Sequence, residues 1–90
     1  MKKNRYQELC EIWLERANED RLWAKSSLKE GFYGGVCFLS QQIVEKTLKA
    51  YLFHHKEELI RTHNLVRLLK SCQKHNAEFE GYLKACKTLN

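Results

Sequence analysis

Ninety residues, with sixteen Lys and Arg against eleven Asp and Glu (a formal charge of +5), are enough for one domain and too few for two. There is no proline and there are only four glycines, which excludes a string of short strands broken by turns and favours long helices. No apolar run approaches the ~18 residues of a membrane span, and the opening MKKNRYQELCE has no apolar signal-peptide core, so a cytoplasmic protein without a membrane partner is expected.

The first predicted helix runs from about Tyr6 to Glu30. Leu9, Ile12, Trp13, Ala17, Ala24 and Leu28 recur at three- and four-residue steps, which marks one buried stripe. Acids cluster toward its start, Lys25 and Lys29 stand near its end, and Gly31 supplies the stop. The second predicted helix runs from about Tyr33 to His55, with Cys37, Gln41, Val44, Leu48 and Tyr51 as its principal stripe. Phe38, Leu39, Ile43, Ala50 and Phe53 lie away from that stripe, so this helix needs cover on more than one side, from the rest of the bundle or from a second subunit.

Between about His54 and Arg61 the pattern lapses. Thr62 has the chemistry of an N-cap for a third helix carrying Leu65, Leu68, Leu69 and Cys72 and ending near His75-Asn76. Phe79, Tyr82, Leu83, Cys86 and Leu89 outline a short fourth helix. Short connections between helices favour antiparallel neighbours, so an all-α, up-down four-helix bundle in a single domain over residues 1–90 is expected. Cys10, Cys37, Cys72 and Cys86 are widely spaced and form no metal motif, which reads as buried, reduced thiols. Up to Glu45 seven bases balance seven acids, whereas from Lys46 onward nine bases meet four acids. That asymmetry suits a polyanionic partner, and solvated lysines on helix surfaces would give the same count.

Three blocks in this order resemble the HEPN family (higher eukaryote and prokaryote nucleotide-binding domains). They are WLERANED from Trp13 onward with the EGFY turn of Glu30 to Tyr33, FLSQQIVEKTLKAYL from Phe38 to Leu52, and RTHNLVRLL from Arg61 to Leu69. The resemblance implies a bundle of four to five helices that tends to form homodimers, with no cofactor. It also implies a nucleotidyltransferase partner in a prokaryotic two-gene module, some of which are toxin–antitoxin pairs. Several branches of the family are metal-independent ribonucleases with an Arg-x4-6-His motif. Here Arg61 and His63 are closer than that spacing, and Arg67 and His75 are further apart. The chain also ends where many relatives continue into a Tyr- and Arg-containing segment, which leaves open a truncated last helix.

Against this background three groups of residues carry the candidate chemistry. Gln42, Lys46 and Lys49 share one side of the second helix, with Glu45 one turn before Lys49. They could hold a phosphate and a base edge of a nucleotide or RNA, or form a solvated face with a Glu45–Lys49 pair. Arg61 and His63 flank the start of the third helix, where free amides favour anions, and His63 could serve as a general acid or base or simply pack and cap. Asp20 and Gln41 fall on buried stripes and would satisfy each other in one polar network. His54 and His55 are adjacent, a poor arrangement for one metal ion, and no Gly-rich phosphate loop is present. A binding module is the leading reading. A ribonuclease using Arg61 and His63 and a purely structural adaptor are its rivals.

Overall fold

The computed structural model describes residues 3–90. Lys2, counted above among the bases, lies outside the described residues with Met1. Helix α1 spans Arg5–Lys29, α2 Tyr33–His54, α3 Leu65–Gln73 and α4 Leu83–Leu89, with a 3-10 turn over Ala77–Tyr82 leading into α4. No strand occurs among the described residues, and the all-α bundle stands as expected.

Helix α1 begins at a reciprocal cap. Asn4 Oδ1 accepts from the Gln7 amide at 2.9 Å, and Gln7 Oε1 accepts from the Asn4 amide at 3.0 Å. It ends where Gly31 takes a left-handed φ of 82°, letting the Gly31 amide reach the Leu28 carbonyl and the Phe32 amide reach Ser27. Helix α2 ends in the same way without a glycine. Lys56 adopts φ 60°, its amide donates to Phe53, and the Glu57 amide donates to Leu52. A lysine in that role carries no sequence signal, which is why the second helix fades out of the pattern rather than stopping.

α1 and α2 pack as an antiparallel hairpin, with Ser27 facing Gly35, Asp20 paired with Lys46 and the Trp13 ring 6.3 Å from Phe53. The covered seam of α1 is Tyr6, Leu9, Cys10, Trp13, Ala17, Asp20, Ala24 and Ser27. Ile12 and Leu28, placed on the stripe by spacing, are exposed instead. Polar Asp20 is buried in the seam, as its spacing required, and half-buried Ser27 joins it there. On α2, Leu39, Ala50 and Phe53 are buried as that helix's second side required, whereas Phe38 and Cys37 are exposed.

The connection over residues 55–64 retraces α2. Tyr6 Oη donates to Glu58 at 2.7 Å near the start of α1, and His63 then lies against Glu45 at 3.0 Å. Helix α3 therefore sets off beside Glu45 and arrives beside His55, running in the same general direction as α2. It is not antiparallel to α2, as the up-down order required, because the connection first carries the chain back along α2. Its N-cap is Asn64, whose Oδ1 accepts from the Arg67 amide at 3.2 Å, and not Thr62, two residues earlier, whose hydroxyl accepts from the Asn64 amide. Leu65, Leu68, Leu69 and Cys72 of α3 close over Leu48 and Leu52 of α2 and Cys86 of α4, with Val44, Tyr51, Phe79, Leu83 and Leu89 around them. Each fully buried leucine contributes about 1.5–3 kcal/mol. Thus α2 is the central helix, covered by α1 on one side and by α3, the 3-10 turn (through Phe79 against Tyr51) and α4 on another, and no Cα of α1 comes within 8 Å of one in the latter three. Burial pushes the Cys72 thiol up to about 12 and raises Cys86, so neither is a nucleophile.

Where α2 ends, the His55 and His75 rings stack at 4.2 Å, and Glu57 accepts a hydrogen bond from His75 Nε2 at 2.9 Å. Desolvation, then the neighbouring His75 and His54, hold His55 below the ordinary value of 6.5, with Glu57 pulling the other way. The unfolded chain therefore takes up this proton before the folded one, so stability falls as pH drops below about 6.5 and is kept above it. Melting temperatures measured between pH 7.5 and 5 should decline over that window, and less steeply in His55→Gln. Parallel curves for the two proteins would exclude the stack as the cause.

Candidate phosphate-binding corner

Glu45 sits at the centre of the most unusual geometry in the molecule. Its side chain is 5 % exposed, yet it meets two cations or potential cations. Oε2 accepts from Lys49 Nζ at 3.1 Å, and Oε1 lies 3.0 Å from His63 Nδ1. Lys49 is itself 6 % exposed and places its ammonium 5.2 Å from the centroid of the Trp13 ring. An ion pair this deep needs each charge answered, and here the lysine has a carboxylate and an aromatic face while the carboxylate has a lysine and an imidazole.

His63 differs from its partners, because 86 % of its side chain faces solvent. Such a bond adds little stability, but it orients the ring. A carboxylate only accepts, so Nδ1 carries the proton and Nε2 points outward. In the neutral ring Nε2 is a proton acceptor, and in the imidazolium it is a donor. Arg61 is exposed two residues earlier. The corner therefore offers an oriented imidazole above a buried carboxylate, with an exposed arginine two residues away in the chain.

The first turn of α3 is less open to anions than its position suggests. The Leu65 amide donates to Asn90 Oδ1 at 2.8 Å and the Arg67 amide to Asn64 Oδ1, while Asn90 Nδ2 donates back to Asn64 at 3.1 Å. Side-chain oxygens thus occupy amides that were expected to be free.

The Gln42, Lys46, Lys49 side of α2 turns toward α1 rather than outward. Lys46 is bound to Asp20 and Lys49 to Glu45, and Gln42 is half-buried one turn before Lys46. The partner of Asp20 is consequently Lys46 and not Gln41, which is half-buried one position off this seam. Each of these pairs joins residues distant in sequence, and a local pattern cannot show them. The alternative arginine–histidine combination is disfavoured by geometry, since His75 is engaged by Glu57 and lies under His55.

The sequence model of one family, described as HEPN domain, matches residues 10–90, nearly the whole chain. The chain belongs to the HEPN family. No curated protein and no solved structure matches it. Membership carries a nucleotide- or RNA-related function in general terms. The described residues contain no group of three or more His, Cys, Asp and Glu side chains that could hold a metal ion, and no helix long and apolar enough to cross a membrane. Within this HEPN chain the residue that sequence reasoning undervalued is Trp13. It reads as core, and only the antiparallel register of the hairpin reveals that it faces Lys49.

Proposed function

We propose that this HEPN domain binds nucleotide or RNA at the His63 corner, with His63 and Arg61 contacting phosphate. Glu45 and Lys49 act beneath them as positioning residues. The observation that carries this reading is the bond from an almost fully exposed histidine to a buried carboxylate, which orients Nε2 outward while contributing little to folding. Lys46 and Gln42, assigned by their spacing to the same role, serve the hairpin seam in this reading. We further place the protein in a homodimer working beside a nucleotidyltransferase, in a toxin–antitoxin-type module. The family resemblance supports the partner, and the exposed Trp23, Phe32, Tyr33 and Phe38 near the α1–α2 turn support the dimer.

Calorimetric titration of ATP and of a short single-stranded RNA tests the corner. Saturable binding by the parent protein should weaken at least tenfold in His63→Ala. Light scattering on the same sample should give twice the chain mass, and pull-down should recover a nucleotidyltransferase. Wild-type protein that binds neither ligand would reject the corner. A second reading, a metal-independent ribonuclease, is favoured by the same geometry, since an oriented Nε2 can take a proton from a 2′-hydroxyl. Cleavage of cellular RNA that disappears in His63→Ala would select it, and intact RNA would leave the binding module.

A further inference from the structure

The outer face of α3 carries a feature that the corner does not use. Arg67, Lys70 and Lys74 stand opposite the buried Leu65, Leu68, Leu69 and Cys72. Their spacing of three and four residues brings them into one line, about 10 Å long at 1.5 Å per residue. With Ile60, Asn64, Val66 and Ser71 they line a shallow groove of about 570 Å³. Helix α3 contains no acid, and none of the ion pairs among the described residues uses these three cations. The opposite sign is gathered elsewhere: Glu8, Glu11, Glu15 and Glu19 follow one exposed line along α1, with Glu11 alone paired, to Lys3. Across α1 five acids offset five bases, whereas the charge of α3 is unopposed, so a polyanion is drawn to α3. One end of the groove is Asn64, the residue after His63, so the ridge begins where the corner stands.

We propose that this ridge binds the backbone of a single-stranded nucleic acid, holding successive phosphates by charge and leading the strand to the His63 corner. It rests on the corner reading only for where the strand leads. No aromatic side chain lines the groove to stack a base. The ridge therefore reads charge and not sequence or sugar, and RNA and DNA strands of equal length bind it alike.

Fluorescence anisotropy with labelled uridine and thymidine oligomers of equal length, over a series of salt concentrations, tests this. The comparison is between the parent protein, Arg67→Gln/Lys70→Gln/Lys74→Gln, and an equal-charge control, Arg21→Gln/Lys25→Gln/Lys29→Gln on α1. Both triple variants change exposed positions, and circular dichroism checks that they fold. In the α3 variant the slope of log affinity against log salt should fall by about 2, since each phosphate contact on a single strand contributes about 0.7. The control should keep the parent slope, and the two oligomers should bind within about twofold of each other. An unchanged slope in the α3 variant, an equal loss in the control, or a tenfold preference for one sugar would overturn the ridge. So would a salt-sensitive signal that tracks self-association in light scattering without oligomer. Binding that survives His63→Ala but not the α3 variant supports the ridge independently of the corner. ATP binding at the parent level with no oligomer binding overturns the ridge and leaves the corner standing.

Discussion

Lys49→Ala should cost about 3–5 kcal/mol, because it strands the Glu45 carboxylate in a site from which water is excluded. His63 cannot replace the lysine, since 86 % of its side chain faces solvent at the edge of the site. The Trp13 face loses its cation in the same step. A domain of this size has only about 5–15 kcal/mol in total, so the variant should be close to unfolding at 37 °C. Glu45→Gln/Lys49→Met removes both charges, keeps an acceptor for His63 and lays a thioether on Trp13, and it should recover most of the loss. Urea unfolding of the three proteins measures this, and a cost below about 1 kcal/mol for Lys49→Ala would mean the pair behaves like a solvated one.

Leu68→Ala should cost about 2–5 kcal/mol through the cavity it leaves in a site with 0 % exposure. The effect is confined to one side of α2. Because no Cα of α1 comes within 8 Å of α3, the 3-10 turn or α4, the hairpin can persist after the second layer loosens. Both tryptophans, Trp13 and Trp23, lie on α1 and report the hairpin, while Cys72 and Cys86 are buried in the second layer. In the variant, alkylation of Cys72 and Cys86 should accelerate in urea concentrations that leave tryptophan fluorescence unchanged. Exposed Cys37 reacts first in both proteins and serves as an internal reference. Superimposed thiol and fluorescence transitions would show the two layers to be one cooperative unit.

The contrast between these two experiments marks what could be read from the sequence. Helices α1 and α2 were legible almost to the residue, because Gly31 and the long periodic runs are local signals, while the Asn4 cap emerged only in the structure. The cap of the third helix was displaced by two residues, since Thr62 and Asn64 are both eligible caps and the choice depends on which oxygen meets the Arg67 amide. The fourth was expected as one helix, but Ala77–Tyr82 forms a 3-10 turn first, capped by Asn76 on the Glu78 amide. At the site the limit was of a different kind. Spacing correctly grouped Gln42, Lys46 and Lys49, but it assigned cations to solvent by type. Their partners, Asp20 and Glu45 with Trp13 behind, converge only once the hairpin closes and the connection folds back. Glu45 and His63 are eighteen positions apart, beyond any helical period.

The amide clasp between Asn64 and Asn90 has a practical consequence. It sets residue 90 beside the residue that follows His63, so whatever is joined after it enters the solution next to the corner. A spin label or acceptor dye carried there would act as a short-range ruler for an occupant of that corner, without altering any side chain in it.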